Sequence, residues 1–466
     1  MEAQSAHAAG VERLLKSYRA IPPDATVRLA KATSNLFRAR AKATAKGLDT
    51  SGLTGVISVD PDARTADVAG MCTYEDLVAA TLPYGLSPLV VPQLKTITLG
   101  GAVTGLGIES ASFRNGLPHE SVLEMDILTG TGEVLTASRD QHADLFRAFP
   151  NSYGTLGYSV RLKIELEEVK PFVALRHLRF TSLTDLVETM ERIVETGGID
   201  GAPVDYLDGV VFSADECYLT LGVRTGTAGP VSDYTGQDVY YRSIQHDEGV
   251  KSDRLTIHDY LWRWDTDWFW CSRAFGAQNP RLRRLWPRRF RRSSFYWKLI
   301  GYDQRFDIAD RIEKRNGRPP RERVVQDVEV PIGRTAEFLD WFLTNVPIEP
   351  IWLCPLRLRD DVGWPLYPIR PQHTYVNIGF WSSVPVVAAG GQEGTDSGSI
   401  EEGHTNKLIE RKVSELEGHK SLYSDAYYSP EEFGALYGGE KYQTVKKTYD
   451  PDSRLLDLYA KAVQRR

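Results

Sequence analysis

Between Val91 and Ser110 the chain reads VPQLKTITLGGAVTGLGIES, with Gly100, Gly101, Gly105 and Gly107 set among small residues. Glycines at this density let backbone N–H groups approach an anionic ligand closely and supply positive φ; the same density also builds an ordinary tight turn. The spacing is not G-x-G-x-x-G between a strand and a helix, which disfavours a Rossmann nicotinamide domain. A second chemical concentration lies between Tyr260 and Ile300, where tryptophan and arginine crowd together and Arg281, Arg283, Arg284, Arg288, Arg289, Arg291 and Arg292 surround Leu282, Leu285, Trp286 and Phe290. Indole rings favour a membrane interface and clustered guanidinium groups attract anionic headgroups, so the segment is a candidate for peripheral membrane contact; a packed helical lid with a solvated arginine face is the alternative. Single-stranded nucleic acid uses the same residue types, yet nothing else in the chain supports it.

The elements around these stretches follow from periodicity. Val11, Leu14, Leu15 and Tyr18 have helical spacing, and Pro22-Pro23 ends that helix. Short β-branched pieces at Val27–Ala30, Val56–Val59 and Thr65–Val68 predict strands, and Tyr74–Tyr84 is amphipathic with a stop at Gly85. Leu123–Thr129 and Glu133–Thr136 predict a hairpin about Gly130-Thr131-Gly132, and Tyr158–Val169 alternates as a strand until Pro171. A strand VALRHLRF, a helix over Leu183–Thr196 and strand character at Tyr218–Val223 continue a mixed pattern, while Val386–Asn406, rich in Gly, Ser and Glu, reads as a surface loop.

These pieces together are similar to a known family. The segments TADVAGMCTYEDLVAATLPYGLSPLVVPQLKTITLGGAVTG, NGLPHESVLEMDILTGTGEVLTAS and DLFRAFPNSYGTLGYSVRLKIEL resemble the PCMH-type FAD-binding domain of the vanillyl-alcohol-oxidase superfamily. A narrower resemblance, to the Δ24-sterol reductase (Diminuto or seladin-like) family, extends through GIESAS, RVVQDVEVP, PIWLCP, YVNIGFW and LYSDAYYSPEEFGALYGGEKY. It implies that Pro92, Gln93, Leu94, Lys95, Thr96, Ile97, Thr98, Leu99, Gly100 and Gly101 wrap the FAD pyrophosphate and that Gly105 and Gly107 pass under the isoalloxazine. Gly154, Thr155, Leu156 and Gly157 would then close the site. The first phosphate loop departs from the glycine-rich form of the superfamily: it is KATSNLFR, in which Lys31 and Arg38 could offset the pyrophosphate charge or be a surface pair. With no Cys near these loops and only His119 among histidines, non-covalent FAD is expected. Eukaryotic members carry an N-terminal membrane-spanning segment and this chain begins without one, so stable membrane insertion is not expected.

The resemblance implies reduction of an isolated C=C bond in a lipid, with electrons passing from NADPH through FAD. An unactivated alkene accepts hydride poorly, so the site needs an acid that protonates the less substituted carbon. Glu109, next to the glycines that should pass beside the flavin, is one candidate; Tyr442 with Lys441 in GGEKY is another. An FAD-dependent oxidase or dehydrogenase of a lipid-linked alcohol is the alternative function.

The expected fold is α+β, with a PCMH-type FAD-binding domain over residues 1–170 and a substrate or cap domain over 171–466. With 56 basic and 62 acidic residues the net charge is −6, which argues against a generic nucleic-acid binder. Cys72, Cys217, Cys271 and Cys354 form no C-x-x-C pair, no metal-ligating set is read, and no apolar run is long enough for a spanning helix. A cytoplasmic protein, free or at the inner membrane face, is expected. Arg outnumbers Lys by more than two to one, a bias of GC-rich coding that points to a bacterium, where the lipid would be a methylene-branched fatty acyl chain.

Overall fold

A computed structural model describes residues 2–31, 37–38, 46–236, 238–306, 311, 315, 321–386 and 402–466. Two antiparallel sheets carry the site. The first uses β1 (Val56–Asp60), β2 (Thr65–Ala69), β3 (Leu86–Pro88), β4 (Val122–Leu128), β5 (Val134–Ser138) and β6 (Tyr158–Glu168), in the order β1-β2-β6-β4-β5 with β3 also on β6. Its central strand β6 keeps the alternation read from the sequence: Val160, Leu162, Ile164 and Leu166 are buried while Arg161, Lys163 and Glu165 are partly exposed. Arg161 joins its neighbours by ion pairs to Asp126 of β4 (2.7 Å), Asp67 of β2 (2.5 Å) and Glu124 of β4.

The chain crosses from the first sheet to the second between Glu168 and Phe172. The second sheet comprises β7 (Phe172–Phe180), β10 (Tyr206–Ser213), β11 (Glu216–Thr225), β12 (Val250–Thr256), β13 (Arg321–Pro331), β14 (Ile351–Leu356), β15 (Tyr375–Pro385) and β16 (His419–Lys420), ordered β12-β7-β11-β10-β14-β15-β13-β16; β8 (Gly198–Ile199) and β9 (Ala202–Pro203) form a separate small hairpin. Its two faces have different fates. Val324, Val328 and Val330 of β13 join Val376, Ile378 and Phe380 of β15 in a core shared with the helices Leu183–Thr196 and Ile332–Asn345. The opposite face, carrying Val325, Asp327 and Glu329 of β13 and Tyr375, Asn377, Gly379 and Trp381 of β15, turns toward the larger core that runs between the two sheets.

Three local expectations meet the structure differently. Among the described residues Val27–Ala30 forms only an isolated bridge, Leu29 to Leu48. The N-terminal helix runs Glu2–Arg19, earlier than the apolar periodicity begins, because its first turns are polar and solvent-facing. Residues 387–401, most of the loop expected over Val386–Asn406, lie outside the described residues, as do 32–36 of the KATSNLFR stretch. Residues near the C-terminus return to the first sheet: the Tyr449 carbonyl accepts from the Gly130 amide (3.0 Å), Lys446 donates to the Thr155 carbonyl (2.8 Å), and Leu455 packs with Leu14 and Val27.

Candidate active site

The glycine-rich stretch and its neighbours open a cavity of about 660 Å³ between the two sheets. Close packing of backbone explains the glycines. A Cβ on Gly100 would sit 2.5 Å from the Gly70 carbonyl, and one on Gly107 would sit 2.9 Å from the Pro92 ring. Thr98 caps the helix Leu99–Thr104, accepting from the Gly101 amide (3.2 Å), and Lys31 Nζ donates to the same hydroxyl (2.9 Å). This end of the cavity therefore combines free space over glycine backbone with cationic side chains: Arg28 and Lys31 line it, and Lys461 and Arg466 also reach the wall, Lys461 donating to the Tyr153 carbonyl (2.6 Å). Lys461 and Arg466 carried no sequence signal beyond lying near the chain's end.

Of the residues singled out from the sequence, Lys31, Pro92, Gln93, Leu94, Ile97, Thr98, Gly100, Gly101, Gly105, Gly107 and Gly154 line this cavity. The others stand behind it. Arg38 is buried with its guanidinium 4.8 Å over the Tyr153 ring and donates to the Leu422 carbonyl, so it braces the wall from outside. Lys95 turns away to Glu75 (3.5 Å) and Trp262. Leu99 and Leu156 enter the core, Thr155 presents its carbonyl to Lys446, and Gly157 lies against the Leu128 carbonyl; Thr96 also lies off the wall.

The other end is aromatic. Phe269 lies 4.3 Å from Trp381 and 5.6 Å from Trp352 between ring centroids, and Phe37 lies 5.8 Å from Trp268 and 5.7 Å from Tyr423. All six residues line the cavity. Trp268 and Phe269 have φ of 46° and 56°, the left-handed region that bulky side chains avoid at a cost of about 1–3 kcal/mol each. Their neighbours hold them there: Asp265 accepts from the Lys95 amide (2.9 Å) and Ser293 (2.5 Å), and Asp267 is ion-paired to Arg283 (2.6 Å).

In this aromatic end sits one acid that the sequence reading missed, Asp327. It pairs with Gly379 across β13 and β15, and a Cβ on Gly379 would come within 2.4 Å of Asp327 Oδ1, so the glycine makes room for the carboxyl. Asn377 Nδ2 donates to Asp327 Oδ1 (3.2 Å), and Trp381 Nε1 donates to the Tyr423 hydroxyl (2.8 Å). Burial pushes the Asp327 carboxyl up to about 7, against the downward pull of hydrogen bonds from Asn377 and Tyr423. Glu329, two residues along the same face, is also buried and pushed upward by desolvation; Ser421 donates to it (2.6 Å) and His419, held neutral by burial, lies 3.4 Å away. Cys271, which the sequence had not placed near the cofactor loops, lines the wall, with burial pushing its thiol up to about 12. His119 lies away from the wall, against Trp364, and burial lowers it to about 3.

The acids and bases singled out from the sequence lie elsewhere. Glu109 follows the glycine stretch, but its carboxylate is drawn away from the cavity to Arg263, which lies 2.8 Å from both Glu109 Oε1 and Asp208 Oδ2 with all three side chains buried. Burial pushes Glu109 upward, Arg263 pulls it back, Asp208 pushes again, and the net direction is up, as expected for two buried acids sharing one cation. The Tyr442 hydroxyl accepts from the Leu458 amide (2.9 Å) and does not line the cavity, and Lys441 points to solvent from the helix Gly439–Tyr449. The aromatic and basic segment divides in two. Residues 261–270 are buried, with Trp268 and Phe269 lining the cavity, whereas Leu282, Leu285, Arg281, Arg284, Arg288 and Arg289 are exposed. Trp262, Trp264 and Trp270 pack in the core, and Trp268 faces the cavity.

Comparisons with known proteins agree with this architecture. A family model described as an FAD binding domain matches residues 11–138. The chain is 26% identical over 427 residues to the mouse Delta(24)-sterol reductase, covering 88% of this chain and 76% of the relative, and 23% identical over 456 residues to that of Arabidopsis thaliana, covering 89% and 76%. Cytokinin dehydrogenase 2 of Arabidopsis thaliana is 32% identical over 181 residues, 39% of this chain and 34% of the relative. The cavity suits FAD on physical grounds: its volume is in the range of small-molecule sites, and it joins a cationic, glycine-floored end to an aromatic end, as a diphosphate bonded to a flat heteroaromatic ring requires. With that fit, the chain carries an FAD binding domain over residues 11–138, is similar along most of its length to Delta(24)-sterol reductases, and is an FAD-dependent oxidoreductase.

Proposed function

We propose that the chain reduces an isolated C=C bond in a lipid, with FAD as resident cofactor, NADPH as electron source and, in a bacterium, a methylene-branched fatty acyl chain as substrate. The observation that carries this reading is the aromatic end of the cavity. Trp268, Phe269, Trp352 and Trp381 offer a hydrocarbon an apolar wall, and such a wall excludes the water that would quench a cationic carbon. When bound, reduced FAD supplies hydride, the part of the chemistry no side chain can provide. Lys31, Lys461 and Arg466 suit the diphosphate, Gly100, Gly101, Gly105 and Gly107 suit its close approach, and Gly154 borders the same space. Pro92, Gln93, Leu94, Ile97 and Thr98 complete that side of the wall, with Arg38 bracing it through Tyr153. Among the described residues no separate nicotinamide domain is seen, and in this reading NADPH binds transiently at the cavity mouth.

Peripheral membrane contact forms part of the same proposal, narrowed to the surface around the helix Pro280–Leu285. Leu285 is 81% exposed and Leu282 50%, flanked by exposed Arg281, Arg284, Arg288 and Arg289, a surface complementary to anionic lipid. Among the described residues no helix is long and apolar enough to cross a membrane. A cytoplasmic protein touching the inner face of the membrane is consistent with that surface.

The similarity to a cytokinin dehydrogenase over 181 residues favours a second reading, dehydrogenation of a lipid-linked alcohol. One anaerobic experiment separates the two. The purified flavoprotein is treated with NADPH, followed by phospholipid carrying a methylene-branched acyl chain or, in parallel, a sterol with a side-chain alkene. Bleaching of the flavin absorbance by NADPH and its return with one alkene lipid is the expected result. A flavin untouched by NADPH but bleached by a lipid alcohol would replace the reductase reading with the dehydrogenase reading.

A further inference from the structure

Among the described residues that line the cavity, Asp327 is the one carboxylic acid, and it stands at the aromatic end, away from the cations of the glycine-floored end. Its placement is built rather than incidental. Strand alternation puts residue 327 on the cavity side of β13, Gly379 opposite leaves room for the carboxyl, and Asn377 orients one of its oxygens. The Tyr423 hydroxyl has its acceptor capacity engaged by Trp381, which directs its own proton toward Asp327. Three other buried acids have a cationic partner, Glu109 and Asp208 sharing Arg263 and Asp267 holding Arg283, while Glu329, beside the neutral His419, does not line the cavity. The groups that stabilise an Asp327 anion, Asn377 and Tyr423, are both neutral.

We infer that Asp327, held by Asn377 and Tyr423, is the proton donor to the alkene. The inference rests on the reductase reading above. In the step, the alkene π pair takes the proton from the Asp327 carboxyl, forming a C–H bond at the less substituted carbon as the carboxyl O–H bond breaks. The other carbon is left electron-deficient and accepts the hydride pair of the reduced flavin, so the alkene gains two electrons and two hydrogens while the flavin is oxidised. The Asp327 carboxylate then regains a proton from water. The titratable groups that face Asp327 are Tyr423, Tyr153, Tyr367 and Cys354, all pushed upward by burial, and Glu329 with His419 behind it. Arg38, over the Tyr153 ring, bonds the Leu422 carbonyl.

The test uses FAD-loaded protein and the variants Asp327→Asn, Asp327→Glu and Tyr423→Phe. Without any substrate, infrared spectroscopy of the wild type should show a carboxylic-acid C=O band that disappears with a midpoint near pH 7 and is missing from Asp327→Asn. The Tyr423→Phe variant loses a bond to the anion, so its midpoint should move upward. With dithionite-reduced flavin and an alkene phospholipid in D₂O, the wild type should place one deuterium on the less substituted carbon. Asp327→Asn should reduce with dithionite normally yet reoxidise with lipid about 100-fold or more slowly, the scale of a lost general acid, while Asp327→Glu recovers part of the rate. Reoxidation of Asp327→Asn at the wild-type rate, or a carboxylic-acid band that survives in it, would overturn the inference while leaving the reductase reading in place. A wild type that no alkene lipid reoxidises would sink the reading and the inference together. Should Asp327→Asn not hold FAD, an infrared midpoint unmoved in Tyr423→Phe, with an unaltered pH profile in Asp327→Glu, would refute it equally.

Discussion

Replacing Arg263 by Met should expose what Glu109 does. Arg263 is fully buried, lies 2.8 Å from both Glu109 and Asp208, donates to the Tyr260 carbonyl (2.9 Å) and stands 4.0 Å over the Tyr260 ring. Methionine matches much of its aliphatic volume but leaves two carboxyls in the core with no counter-charge, a change that costs about 3–5 kcal/mol when one partner of a buried pair is removed. The Glu109 carboxyl, already raised by burial, would then lose the cation that pulls it back toward the value of the unfolded chain. Stability from such groups is present below the unfolded pKa and is lost as pH rises through the folded one, so the deficit should be largest at neutral pH and shrink in acid. Between the unfolded and folded pKa of Glu109 the slope is about 1.4 kcal/mol per pH unit, so lowering the pH from about 7.5 to about 5.5 should recover part of the deficit. Urea denaturation of Arg263→Met and wild type across that range measures it. The double variant Arg263→Met with Glu109→Gln, which removes one unpaired charge, should be more stable than Arg263→Met alone, and Glu109→Gln alone should retain bound FAD and lipid reduction. A deficit that does not vary with pH would refute the reasoning, as would a Glu109→Gln variant that binds FAD and folds normally yet no longer reduces lipid.

Removing the amine of Lys31, 2.9 Å from Thr98 Oγ1, should weaken FAD binding by about 10- to 100-fold, the worth of a hydrogen bond to a charged group, as read by flavin fluorescence on mixing with apoprotein. Gly101→Val, whose Cβ would lie 2.8 Å from Thr98 Oγ1 and 3.4 Å from Lys31 Nζ, should lower FAD affinity at least as far, because it displaces both groups while adding bulk to the floor; equal affinity in an equilibrium titration would show that the flavin lies elsewhere. Leu285→Asp combined with Arg284→Glu should cut co-sedimentation with anionic vesicles without altering the flavin spectrum, and wild-type binding should fall as salt rises from about 0.05 M to about 0.5 M. Equal sedimentation of variant and wild type would remove that surface from the proposal.

The glycine stretch was legible because its chemistry is local: Gly100, Gly101, Gly105 and Gly107 are needed where backbone meets backbone, and their spacing alone marks the cavity floor. The strand β6 was legible for a similar reason, its alternation being a property of one segment. Asp327 was not. In RVVQDVEVP two acids alternating with valines read as the wet face of a half-exposed strand, and only the tryptophan-rich segment 261–270, folded over that face, turns it into an interior. Glu109 failed in the opposite sense, since sequence adjacency put it beside the flavin while an arginine 154 positions later draws it away. The tryptophans themselves show that composition cannot say which side of a segment faces water. Each of these cases depends on a contact between residues far apart in the chain, which spacing within a window does not record.

The return of the late segment to the early sheet has a consequence for biosynthesis. Strand β6 ends at Glu168, so all strands of the first sheet have been made by then, yet Lys461 supplies part of the cavity wall and Leu455 part of the packing beneath the N-terminal helix. Nearly three hundred residues separate the two, which at translation rates of about 5–20 residues per second is a delay of about 15–60 s. During that interval the nascent first sheet presents an open, apolar-walled trough. Flavin capture during synthesis would therefore be late, and the ribosome-bound chain offers chaperones a site that the finished protein no longer displays.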